Sequence, residues 1–232
     1  MSQRLYLIRH GETEWSLSGR HTGRTDLPLT EQGEQNARQL GERLRAVRFT
    51  RVFTSPRQRA RRTCELAGFG SVAAIELDLA EWDYGDYEGR RSADILQARP
   101  EWNLFRDGCP NGETPAQVSD RADRLVARLR TLEGNVALFT HGHFGRVLGV
   151  RWLGMPVIEA QHFLFSTASL SVLGYEHDRA DYPAIVLWNA ASHEMFDAAS
   201  DPRVGDIGTM KQQALERWEN EGGEIQNILR NP

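Results

Sequence analysis

Lysine is nearly missing from this 232-residue chain: Lys211 is the only one, although lysine and arginine together number 28. Positive charge is therefore almost all guanidinium, which stays ionised and offers a planar fork that matches phosphate oxygens. Cysteine is scarce too. Cys64 and Cys109 are too few for a disulfide framework and fit a reducing, cytoplasmic compartment. No apolar run is long enough to cross a bilayer, and the N-terminus lacks a signal-peptide core. Surplus basic charge is also lacking. A net charge of −4 gives no general reason to expect nucleic acid or an anionic membrane as partner. What is present, 40% hydrophobic and 26% charged residues, suffices for one ordinary domain with a sizeable core.

Apolar runs of strand length alternate with amphipathic segments. Leu5 to Ile8 is the first predicted strand, followed by a turn-rich loop over 21–33. Thr30 is the expected cap of a helix with Ala37, Leu40, Leu44 and Val47 on one face. A second strand is predicted over 51–55, with Pro56 suited to starting the next helix, about Arg57 to Ala67, which Gly68 stops. Residues 73–77 read as a weaker third strand. From Glu81 to Gly112 the pattern breaks into short pieces rich in aromatics, as in a functional excursion or lid. Thr114 then caps a helix burying Val118, Ala122, Leu125, Val126 and Leu129, and 135–141 is a fourth strand. "ASLSVLGYE" and "AIVLWN" read as a final strand pair near a sheet edge. Strands alternating with helices predict a parallel-dominated α/β sandwich. Composition changes after Ala191. Residues 192–232 are expected to be a linker and a short charged helix over 210–221, read as a packing or homo-oligomer contact.

Polar groups cluster at the predicted strand ends: Arg9 and His10, Ser55 with Arg59 just inside the next helix, and His141. Ligands of open α/β sheets bind at the carboxyl ends of the strands, so residues distant in sequence can converge there. Two histidines and two arginines at one rim would make an anion pocket with a nucleophile inside it. Each has a blander reading. A strand-end histidine is more often a structural hydrogen-bonding group, and Arg57 to Arg62 taken alone reads as a solvated basic face. His141 and His143 could be a metal pair, but no HExxH pattern or acidic ligand cluster accompanies them. Their joint occurrence, in order, at consecutive strand ends favours the pocket.

"LIRHGETEW", "FTSPRQRARRT", "LAEWDYGDYEG" and "LFTHGHFGRVL" resemble the four signature segments of the histidine phosphatase superfamily, the phosphoglycerate-mutase-like proteins, over about residues 4–190. The resemblance implies a three-layer α/β/α sandwich, mostly parallel with an antiparallel edge, filling residues 1–191. By it His10 is the phosphorylated histidine, Arg9, Arg59 and a protonated His141 hold the phosphoryl oxygens, and Glu81 is the proton donor. Thr22, Gly23 and Gly142 fall on further phosphate or substrate contacts, and Ser16 stands where mutases carry asparagine. Neither a metal nor another cofactor is implied, because arginine charge takes over what Mg²⁺ does elsewhere. Aromatic neighbours Trp82 and Tyr84 would keep water from Glu81.

The interval from Glu81 to His141 is compact, and the two arginines of "GRR" at 89–91 do not make the extended lid of a mutase. "RPEWNLFRDGCPNGETPAQV" looks most like the sedoheptulose-bisphosphatase and sugar-phosphatase branch. The expected substrate is thus a small phosphorylated sugar or sugar alcohol, with Tyr84, Arg106, Glu113 or His143 reading its hydroxyls or a second phosphate. Three alternatives stand beside this: a phosphoglycerate mutase, a regulatory member of the fold without turnover, and a nucleic-acid binder using Arg57 to Arg62. The last is disfavoured by the net charge.

Overall fold

Successive side chains of a strand point to opposite faces, and here both faces are apolar. In β1 (Arg4–Arg9) Leu5 and Leu7 enter one cluster while Tyr6 and Ile8 enter the other. In β4 (Asn135–Thr140) Val136 and Leu138 separate from Ala137 and Phe139 in the same way. A sheet buried on both faces must be covered by helices on both sides. The computed structural model describes residues 3–191, so the predicted tail linker and helix lie outside the described residues.

The sheet has six strands in the order β3-β2-β4-β1-β5-β6, with β2 (Phe49–Thr54), β3 (Ala74–Ile75), β5 (Leu170–Tyr175) and β6 (Pro183–Ala190). Strands β1 to β4 run parallel, and β5 is antiparallel to both β1 and β6. The expected antiparallel edge is present. On one face lie α2 (Glu31–Leu44) and α3 (Gln58–Leu66), which supply Leu40, Leu44 and Cys64 to one core. The other core takes Val118 to Leu129 from α6 (Pro115–Leu129) and Val147, Leu148, Val150 and Trp152 from α7 (Gly142–Trp152). The aromatic excursion packs into this second core through Trp82, Tyr84, Tyr87, Trp102 and Phe105. Its short helices are α4 (Ser92–Ala98) and α5 (Leu104–Asp107). The α/β/α sandwich is as expected. No helix of the described residues is long and apolar enough to cross a membrane.

Four local expectations are corrected. Helix α2 is capped by Thr30 but ends at Leu44, so Val47 lies beyond it on the way to β2. Helix α3 begins at Gln58, with Arg57 as its N-cap, so Pro56 precedes the helix instead of opening it. The second strand is Phe49–Thr54 and leaves Ser55 past its tip. The third is only two residues long, because Leu77–Leu79 turn into a 3-10 helix under α6.

Candidate active site

The register of the parallel strands assembles the site. Arg9 pairs with Thr140 across β1 and β4, so the next residue of each strand, His10 and His141, emerges beside the other. His10 N–H donates to Thr140 O at 3.0 Å, and the two rings lie 5.2 Å apart. On the other side of β4, Ser55 N–H donates to Phe139 O, which brings Ser55 alongside His141. Close packing holds these tips. A Cβ on Gly11 would stand 2.5 Å from Gly33 O, and one on Gly33 would stand 2.2 Å from Glu12 O. Only two glycines let the loop after β1 lie against the first turn of α2. Gly11 N–H also donates to Thr63 Oγ1 of α3 at 2.9 Å.

His10 is buried, and its Nδ1 lies 2.7 Å from Gly11 O. A carbonyl only accepts, so Nδ1 carries the proton and Nε2 the lone pair. Burial, then the Arg59 and Arg9 guanidinium groups, pushes its pKa well below the usual imidazole value, which keeps it neutral. Arg9 donates through Nη1 to Phe165 O and lies across Gly142, where a Cβ would come within 3.1 Å of Cζ.

His141 is neutral, which corrects the expected cation. Arg59 Nε–H donates to its Nδ1 at 3.1 Å, so the ring proton sits on Nε2, 2.6 Å from Ser55 Oγ. Burial first, and then Arg59, His10, Arg57 and Arg9, depress its pKa well below normal. Arg59 itself is fully buried. Its two terminal nitrogens donate to Thr22 O, Gly23 O and Thr25 O, so the guanidinium ties the 22–25 loop to His141. The other arginines of that helix take no part: Arg62 pairs with Glu34 and Glu65 at the surface.

Glu81 is buried at the N-terminus of α7. Its carboxylate accepts from His143 N at 3.1 Å, Phe144 N at 2.8 Å and Trp82 N at 2.9 Å. Helix N-termini carry unpaired N–H groups and a partial positive charge, so a carboxylate is well placed there. One cavity is lined by Arg9, His10, Glu81 and Gly142 together with Tyr84, His143 and Thr22. Tyr84 O–H and His143 Nδ1 lie 2.5 Å apart, and burial pushes the Tyr84 phenol well above its usual pKa. Ser16 also lines the cavity, but its hydroxyl is engaged with the backbone of Thr13 in the capping box of α1 (Glu14–Leu17).

Three expected contacts go elsewhere. Gly23 N–H donates to the Glu88 carboxylate, so Gly23 anchors its loop. Arg106 pairs with Asp107 and donates to Glu101 O, outside the cavity lining. Glu113 binds Arg121 at 2.7 Å and accepts from Asp83 N, supporting the excursion beneath the site. Sequence reasoning missed Arg20 and His21, both of which line the cavity. The signal available was their place directly before Thr22. Among the described residues no group of three or more His, Cys, Asp or Glu is arranged to hold a metal ion.

Comparison with known proteins adds three likenesses. An acid phosphatase of Mycobacterium tuberculosis is 43% identical over 180 residues, spanning 76% of this chain and 88% of that protein. Sedoheptulose 1,7-bisphosphatase of Saccharomyces cerevisiae is 33% identical and aligns over 81% of this chain and 93% of its own. The solved structure of the Rv3214 product of M. tuberculosis superposes with a TM-score of 0.78 at 38% identity, over 83% of this chain and all of that one. Residues 5–191 match the histidine phosphatase superfamily, branch 1. The chain therefore belongs to that superfamily, as a phosphoric monoester hydrolase.

Proposed function

We propose that this enzyme hydrolyses phosphomonoesters of small sugars or sugar alcohols through a phosphohistidine on His10, without a metal ion. The observation that carries the reading is the His10 Nδ1–Gly11 carbonyl hydrogen bond inside a basic, buried cavity, which aims a neutral Nε2 lone pair at an incoming phosphate. Phosphoryl transfer needs positioning and charge stabilisation above all. Arg9 and Arg20 supply positive charge at the cavity wall, and Arg59 holds the 22–25 loop beside it in place. As the P–O bond breaks and the P–N bond forms, Glu81 passes to the departing alkoxide a proton taken up on substrate binding. Water then attacks phosphorus, Glu81 takes back a proton, and the P–N bond breaks to release phosphate and free His10.

Hydrolysis rather than mutase transfer is favoured by how the arginines after Glu81 are used. Arg91 pairs with Asp94 and Arg90 lies over the Tyr87 ring, so neither closes over the cavity. The resemblance to sugar-phosphatase relatives supports a polyol leaving group. The test is His10→Ala together with a substrate panel of sugar, sugar-alcohol and bisphosphate esters and 3-phosphoglycerate, assayed in excess chelator. Wild type should release phosphate and carry an acid-labile label, and His10→Ala should lose both by at least about 10³-fold. Label persisting in the variant, activity that chelator abolishes and Mg²⁺ restores, or faster isomerisation than hydrolysis of 3-phosphoglycerate would each overturn part of this reading.

A further inference from the structure

One ring of the cavity has no part in the chemistry above. His21 is 4% exposed and borders the same cavity as His10 and Glu81. Its backbone is clamped, with N–H donating to Arg90 O at 2.9 Å and C=O accepting from Gly89 N at 2.8 Å. Its ring stacks on Tyr84, centroids 4.6 Å apart and planes at 30°, with Trp102 edge-on at 5.8 Å. The side chain is thus packed against both rings. Nε2 lies 3.3 Å from Ser92 Oγ, while Nδ1 has no hydrogen-bond partner among the described residues.

We propose that His21 is a specificity-determining residue, whose Nδ1 exchanges a hydrogen bond with a hydroxyl group of the alcohol that the phosphate leaves. The proposal rests on the phosphatase reading and deepens it. Stacking alone would be served by a phenyl ring, whereas an imidazole at the cavity lining keeps a nitrogen, Nδ1, that can pair with a ligand. The charge state points to the kind of partner. Burial first, then the neighbouring His143 ring, hold the His21 pKa at about 3, so the ring is neutral in use. A neutral imidazole does not compete with Arg9 for the phosphate dianion. It offers one donor or one acceptor, set by which way the Ser92 contact runs, and a hydroxyl can answer either. Tyr84 and His143, whose O–H and Nδ1 lie 2.5 Å apart, line the same cavity as His21.

The test compares kcat/KM for a polyol ester, erythritol 4-phosphate or glycerol 3-phosphate, with kcat/KM for p-nitrophenyl phosphate, whose leaving group has no other hydroxyl. His21→Phe keeps the stacking and removes Nδ1, and should lower the polyol-to-aryl ratio at least tenfold, chiefly through KM. His21→Asn places an amide atom near the Nδ1 position and should recover most of the ratio. A ratio within threefold of wild type in His21→Phe, or equal loss on both esters, overturns the assignment. Should His21→Phe fail to fold, His21→Asn against the similarly sized His21→Leu makes the same comparison, and equal ratios overturn it. Wild type inactive on every ester would instead remove the phosphatase reading on which this rests.

Discussion

His10 and His141 are both neutral, but for different purposes and through different partners. The Gly11 carbonyl leaves His10 a lone pair at Nε2, as a nucleophile needs, whereas the Arg59 Nε–H leaves His141 a proton at Nε2. Arg59 is thus a positioning residue as well as a source of charge. Arg59→Lys keeps the charge and loses the fork, so His141 Nδ1 and the carbonyls of Thr22, Gly23 and Thr25 compete for fewer donors. Its expected outcome is a fall in kcat/KM of about 10²-fold and a loss of roughly 2–4 kcal/mol of stability, read from steady-state kinetics and urea midpoints. Near-wild-type values for both would mean that the loop does not depend on the guanidinium. Protonation at His141 was not legible in the sequence. An isolated histidine near arginine and phosphate reads as a cation, and only the position of Arg59 Nε reveals that the ring is an acceptor.

Among the elements, α7 has the most concentrated role. Its cap residue is His141, its first turn gives two N–H groups to Glu81, and its first residue, Gly142, makes room for Arg9. Gly142→Ala would place a methyl carbon 3.1 Å from Arg9 Cζ and 3.3 Å from Nε, tighter than ordinary van der Waals contact. The helix would tolerate alanine well, so the cost should fall on Arg9. We expect kcat/KM about tenfold lower, equivalent to roughly 1.4 kcal/mol, with thermal stability nearly retained. A loss of stability without loss of activity would show that the helix yields and Arg9 does not. Patterning identified α2, α3 and α6 by one buried face each and β4 by a short apolar run buried on both faces, but the helix boundaries near Val47 and Pro56 were decided by the turn into β2 and by the Arg57 cap.

Across the whole molecule, three buried neutral histidines tie stability to pH. His10, His21 and His141 all have pKa values depressed in the folded state, His21 to about 3. In the unfolded chain each would bind a proton near the ordinary imidazole value of 6.5. Between those limits the unfolded state holds more protons than the folded one, so stability falls as pH falls. Their contribution is whole above pH 6.5 and drains away below it, at up to about 1.4 kcal/mol per pH unit for each fully buried ring. Thermal melts from pH 8 to pH 4 should therefore show Tm dropping from near pH 6.5 downward. His21→Phe should flatten that slope by up to one proton's worth, and an unchanged slope would mean that the His21 ring becomes protonated in the folded protein. Catalysis has the same sign at His10: its lone pair survives below pH 6.5, so the imidazole by itself imposes no acid limb near its ordinary pKa.

What the sequence determined by itself was the order of strands and helices and the chemical types at the strand tips. Both follow from local physics: apolar periodicity selects strand or helix, and the residues at each tip are those that follow where the apolar run stops. Only the tertiary structure decided which atoms face one another. The parallel register set His10 against His141, the approach of Gly11 to Gly33 let that tip close, and the excursion folded back to bring His21 onto Tyr84. Gly23 and Arg106 carry the right chemistry in the right stretch of chain, yet Glu88 and Asp107 hold them. Hydrogen-bond partners depend on ångström-scale distances between segments far apart in sequence, which no single stretch of residues encodes.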